Sequence, residues 1–168
     1  MNAPFMPVVV STRDQAYRDR FVLDGLFDDL AVGYSVGRPF GNRLLTWAEF
    51  ERLDMSRREL RRRAAHLLDS CVERVGIHGQ PPALMLSFEG IESSLILCES
   101  FWDGLERYVP GSIVVGVPAR DMVIVTGSRS PAGIAKAHRA VNRMFLAGGR
   151  HLLRQGLMIR RPDGWHSF

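Results

Sequence analysis

The chain has 168 residues, 46% of them hydrophobic and 24% charged, with a formal net charge of +4. That length fits one domain, and the composition is ordinary globular usage, which excludes disorder or low complexity for its bulk. A chain of this size buries roughly two-thirds of its unfolded surface, enough for a core without metal or disulfide support.

The longest run free of acidic and basic residues, Val75 to Phe88, is too short to span a bilayer and is broken by Pro81 and Pro82. No membrane partner is expected. Of the 22 basic residues only Lys136 is a lysine. Cut at Leu84, the chain carries 12 basic against 11 acidic residues and then 10 against 7. Neither half concentrates a basic block, which argues against nucleic acid as the partner. Cys71 and Cys98 each sit in an apolar helical pattern and read as buried free thiols rather than a disulfide or zinc framework. Met1 to Val10 lacks the positive region of a signal peptide, so a cytoplasmic protein is expected.

Residues 1–23 read as a loose lead-in ending in a helix over Arg13 to Phe21, ahead of a single domain over 24–168. Leu30 to Val36 alternates as a half-buried strand, and Gly37 to Asn42 as a turn. Thr46 with Glu49, and Ser56 with Glu59, have the spacing of capping boxes. The second opens a helix whose stripe is Leu60, Ala64, Leu67, Leu68, Cys71 and Val75, with Gly76 placed to end it. Five arginines crowd its first two turns, Arg57, Arg58, Arg61, Arg62 and Arg63, mostly on the polar face. Cations near a helix N-terminus oppose its dipole, so weak non-specific nucleic-acid binding is the most that is expected of them.

Gly79 to Pro82 reads as a linker into a strand over Ala83 to Phe88. Ile91, Leu95, Cys98, Trp102, Leu105 and Val109 then form one apolar stripe, predicting a single helix that Pro110-Gly111 ends and in which Trp102 is core. Ile113 to Val117 and Asp121 to Thr126 are β-branched runs too closely linked for a parallel crossover, predicting a central antiparallel hairpin. Ser130 and Pro131 open a further helix that Gly148-Gly149 ends. Leu157 to Arg161 and Trp165 to Phe168 flank a turn and predict a terminal hairpin. Hairpins mixed with helices give an α+β domain with a mixed or mainly antiparallel sheet and helices packed on one face.

Catalytic and cofactor signals are weak. Gly127 to Gly133 lacks the Gly-Lys-Ser/Thr ending of a phosphate loop and reads as a plain strand-to-helix turn. The five histidines include no pair at helical metal-ligand spacing, and His138 reads as half-buried structure. No metal, cofactor or catalytic residue is assigned. The sharpest motif is Val117-Pro-Ala-Arg-Asp121. Arg120 is expected to project from a rigid tip and fork onto a carboxylate, either internal (Glu99, Asp103 or Glu106) or from a partner, while Asp121 closes the turn.

Several segments taken together carry a family resemblance: Leu26-Phe-Asp-Asp-Leu-Ala-Val-Gly-Tyr34, the Met55-Ser-x-x-Glu-Leu60 helix start, Ser94 to Trp102, Val115-Gly-Val-Pro-Ala-Arg-Asp121 and Leu157 to Trp165. In that order and at those spacings the chain resembles the YtpQ-like bacterial proteins, a family without a known reaction. The resemblance implies a cytoplasmic α+β domain and transfers no catalytic residue. The expected function is a non-enzymatic module that binds another protein, with Arg120, Asp121, Trp102, Glu99 and Asp103 as candidate binding residues. The rival expectation is a small hydrolase using Arg120, Asp121 and a helical carboxylate. Oligomeric state is not readable from the sequence.

Overall fold

The run Met6-Pro-Val-Val-Val10 is too apolar for solvent, and the computed structural model, which describes residues 3–168, folds it into strand β1 (Phe5–Ser11). The expected loose lead-in is thus mostly a buried strand; Met1 and Asn2, its first residues, lie outside the described residues. Asp14 caps α1 (Gln15–Arg20) through the Ala16 amide. A hairpin follows, β2 (Asp24–Phe27) and β3 (Leu30–Val36). β3 pairs along its length with β1, Phe5 opposite Val36 and Ser11 opposite Leu30, giving a three-stranded sheet ordered β1-β3-β2. Pro7 is tolerated because β1 lies at the edge.

Thr46 and Glu49 form the expected reciprocal capping box of α2 (Trp47–Phe50). Ser56 caps α3 (Arg57–Cys71) by accepting from the Glu59 amide. Leu60 and Ala64 of α3 pack with Phe5 and Tyr34 of the small sheet. The helix gives way to a 3₁₀ turn at Val72–Arg74, so Gly76 opens a strand instead of ending the helix. That strand, β4 (Gly76–Gln80), takes in the first residues of the expected Gly79–Pro82 linker and forms a hairpin with the expected strand, β5 (Ala83–Ser87).

The stripe from Ile91 to Leu105 is buried as its spacing predicts, but on two short pieces instead of one helix. A 3₁₀ helix covers Glu92–Leu97 and α4 covers Glu99–Leu105, with Cys98 at φ −105°, ψ 93° between them. Spacings of three and four suit both helix types, so they fix the buried side without fixing continuity. β6 (Ile113–Ala119) and β7 (Met122–Gly127) form the expected antiparallel hairpin. Ser130 caps α5 (Pro131–Ala147), which ends at Gly148 in the left-handed region. β8 (Met158–Arg161) and β9 (Gly164–Ser167) make the terminal hairpin. The larger sheet has six strands, ordered β4-β5-β7-β6-β8-β9, with β6 and β7 at its centre.

Strand alternation sends the two faces of the large sheet to different partners. Val114, Ile124 and Ile159 pack with Ala137 and Val141 of α5. Val115, Val117, Val123 and Val125 share a second core with Met6, Val8 and Val10 of β1 and with Trp102. The chain is a single α+β domain with two antiparallel sheets, α5 lying on the large one and α3 on the small one.

Candidate functional site

Of the residues singled out from the sequence, Trp102 is core: it is 1% exposed, its Nε1 donates to the Leu95 carbonyl at 2.6 Å, and its ring meets Trp165 edge-on. It is therefore unavailable to a partner. Glu99 and Asp103 are exposed on α4, but Arg120 does not reach them. Arg160 of β8 holds both, at 3.0 Å and 2.6 Å, and approaches Glu106 at 4.0 Å. Asp121 is exposed at the β6–β7 turn, and among the described residues no backbone amide donates to it. The structure does not bring Arg120, Asp121 and a helical carboxylate together.

Arg120 itself is buried, 6% exposed, instead of projecting from a tip. Three distant segments fix it. Its amide donates to the His151 carbonyl and its carbonyl accepts from the Ser93 amide; its Nη1 donates to the Gly41 carbonyl at 2.8 Å. Its Nε, also buried, has no partner. Among the described residues no carboxylate forms an ion pair with this guanidinium.

Arg120 borders an open cavity of about 280 Å³ walled by Val10, Leu152 and Leu153, with Ser11, Arg13, Asp14, Tyr17 and His151 at its polar side. Arg13 is anchored to Asp29 and to the Leu153 carbonyl. Burial raises the Tyr17 hydroxyl above its ordinary value, opposed by the Arg120 charge beside it. Burial also lowers His151 below 6.5, reinforced by Arg120 and Arg150 and opposed by Asp121, so this ring is neutral near pH 7. His151 adopts a left-handed backbone, φ 54°, in the loop that joins α5 to the edge of β6 through the Ala119–Leu152 bridge. The site can receive an anion: it offers a buried cation, a phenol and a neutral imidazole beside apolar walls, opposed by the Asp14 carboxylate at its exposed rim. Tyr17, His151 and Arg13 carry no local motif, and only the fold brings them to Arg120.

A larger cavity, about 450 Å³, lies between α3 and the small sheet, lined by Val32, Tyr34, Ala64, Leu68 and Leu97 with Asp24 and Arg61 at its rim. Its polar groups are already occupied. Asp24 accepts from Tyr34, Arg57 and Arg61, and this network brings its pKa down to about 2 although burial alone would raise it. The glycines of the β7–α5 turn serve packing, as expected for a plain turn: a Cβ on Gly133 would overlap Thr126 Oγ1 and the Pro82 carbonyl. His138 is exposed, contrary to its half-buried reading. Cys71 and Cys98 are free and buried, and burial raises the Cys98 thiol. No helix among the described residues is long and apolar enough to cross a membrane. Compared with known proteins, the chain matches no family model, no curated sequence and no solved structure.

Proposed function

We propose that this chain is a non-enzymatic binding module, a cytoplasmic accessory protein akin to the YtpQ-like bacterial proteins it resembles, that recognises another protein by taking one of its acidic groups into the Arg120 cavity. The observation that carries the reading is the guanidinium itself: buried, joined only to neutral groups, the Gly41 carbonyl and the Tyr17 hydroxyl, and unsatisfied at Nε. An uncompensated buried charge is costly, and buried charges are ordinarily paired. An entering carboxylate removes that cost and matches the planar fork of the guanidinium. Tyr17 adds a second donor, and Val10, Leu152 and Leu153 give the pair an apolar wall on one side.

The test is titration of protein labelled with ¹⁵N at arginine side chains, using N-acetylglutamate as the probe. A saturable shift of the Arg120 Nε–H resonance is expected in the parent and a weaker one in Tyr17→Phe. Arg120→Lys, which keeps the charge but lacks the fork and carries no such resonance, is read by its unfolding midpoint, which the ligand should leave unmoved while raising that of the parent. An Arg120 resonance that does not respond in the parent, or equal ligand-induced midpoint shifts in parent and Arg120→Lys, would overturn the reading.

A further inference from the structure

Between Asp121 and Asp163 the chain contains no Asp or Glu but eight Arg or Lys residues. The middle of that segment is α5, whose core-facing residues include Ala137 and Val141. Lys136, Arg139, Arg143 and Leu146 are exposed and spaced by three, four and three residues, which places them on one stripe of the helix, turned away from the sheet. Among the described residues none of these three cations forms an ion pair. Arg139 and Arg143 are like charges at i and i+4, an arrangement that weakens a helix, so fold stability does not account for it. Leu146 continues the stripe and is 90% exposed, the most exposed large hydrophobic residue described. One turn beyond lies Arg150, whose charge acts on His151, a residue lining the Arg120 cavity.

We infer that the outer face of α5 is the docking surface for an acidic segment of the partner protein, which lies along Lys136, Arg139 and Arg143, sets an apolar side chain over Leu146, and runs toward the Arg120 cavity. The choice of occupant follows from charge and shape together. The stripe is uniformly cationic and calls for a polyanion. An exposed leucine within the stripe fits an amphipathic peptide better than a phosphate backbone, which offers it no apolar surface. The adjoining cavity is sized for a single acidic group, and a peptide can reach it while a duplex cannot enter. The inference rests on the binding-module reading for the nature of the partner, but on residues that do not touch the cavity.

The experiment uses a fluorescent synthetic peptide of glutamates around a central leucine, with the full chain. Parent protein should bind it with an affinity that falls as salt rises, and changing the peptide leucine to glycine should weaken binding. The combined variant Lys136→Glu, Arg139→Glu, Arg143→Glu should lose about tenfold or more in affinity, while N-acetylglutamate still shifts Arg120 Nε–H as in the parent. Equal peptide affinity for parent and variant would overturn the inference, as would tighter binding, at the same ionic strength, of a DNA duplex or of phosphatidylglycerol vesicles. Loss of peptide binding in the α5 variant, in a protein whose Arg120 signal never responds to N-acetylglutamate, sinks the cavity reading and leaves the α5 surface standing.

Discussion

Two helices of this molecule carry clustered positive charge, and the structure treats them in opposite ways. α3 has five arginines in its first two turns, and four of them are neutralised at home: Arg57 and Arg61 by Asp24, Arg62 and Arg63 by Glu59. α5 has three cations on its outer face and no carboxylate pairs with any of them among the described residues. The helix that looks more basic in sequence therefore offers the less available charge. Availability depends on what the fold brings near: Asp24 lies 33 residues from Arg57 in the chain, and β2 delivers it to the start of α3.

Both helices rest on sheets that meet in one core, and Trp102 is the largest side chain fully buried there. Removing it is the strongest way to break the contrast, because both helices lose their common support. Trp102→Ala should cost about 3–5 kcal/mol, from lost burial and the cavity left behind, read as a lowered urea midpoint. An unchanged midpoint would mean that α3 and α5 are held independently of this core.

Making α3 resemble α5 is the next test. Asp24→Asn releases Arg57 and Arg61 and weakens their hydrogen bonds in a partly buried site, at a cost of about 2–3 kcal/mol. The pH dependence has a definite sign. The Asp24 carboxyl sits at about 2 in the fold against 3.8 ordinarily. A depressed carboxylate stabilises the fold fully above its unfolded value and loses that contribution as pH falls toward its folded value. Parent stability should thus drop between about pH 4 and pH 2 by more than that of Asp24→Asn. Parallel curves for the two proteins would show that the Asp24 network does not anchor α3.

Much of the frame was legible. The β-branched runs of β6 and β7, and Ser130 with Pro131 at the start of α5, are local signals that the fold keeps. β1 was hidden because Pro4 and Pro7 look like breakers, and an edge position absorbs a proline. β4 was hidden because Gly76 resembles a helix stop and Gly79 the start of a linker, yet its register with β5 supplies the pairing. The site was half legible. Arg120 stood out by its motif, but its burial depends on Gly41, Ser93 and His151, from three segments remote in sequence. The carboxylates assigned to it belong to Arg160 because β8, not the β6–β7 turn, lies beside α4.

Arg120→Lys addresses the third kind of arginine, buried and unneutralised. Lysine keeps the charge but cannot both reach Gly41 and present a fork, so a loss of about 1 kcal/mol is expected in urea unfolding. Adding N-acetylglutamate should raise the parent midpoint and leave that of the variant unmoved, since a ligand stabilises only the state that binds it. Equal ligand-induced shifts would make Arg120 an ordinary structural residue, closer to those of α3.

The smallest effect separates stability from binding most cleanly. On α5, Arg139 and Arg143 repel across one turn. Arg139→Glu replaces that repulsion with a favourable pair, glutamate four residues ahead of arginine, the better orientation on a helix. It also converts an exposed residue whose neighbours are mostly cationic into their counter-charge. Stability should therefore rise, by about 0.3–0.5 kcal/mol, and the gain should shrink as salt screens the pair. Binding of the acidic peptide should fall in the same variant, because one of the three docking cations has changed sign. A residue kept for folding would lose both properties or neither. Opposite movements of urea midpoint and peptide affinity are the behaviour of a surface held at some cost to its own helix for the sake of a partner. If Arg139→Glu instead lowers the midpoint, a carboxylate outside the described contacts pairs with Arg139, and α5 belongs with α3 after all.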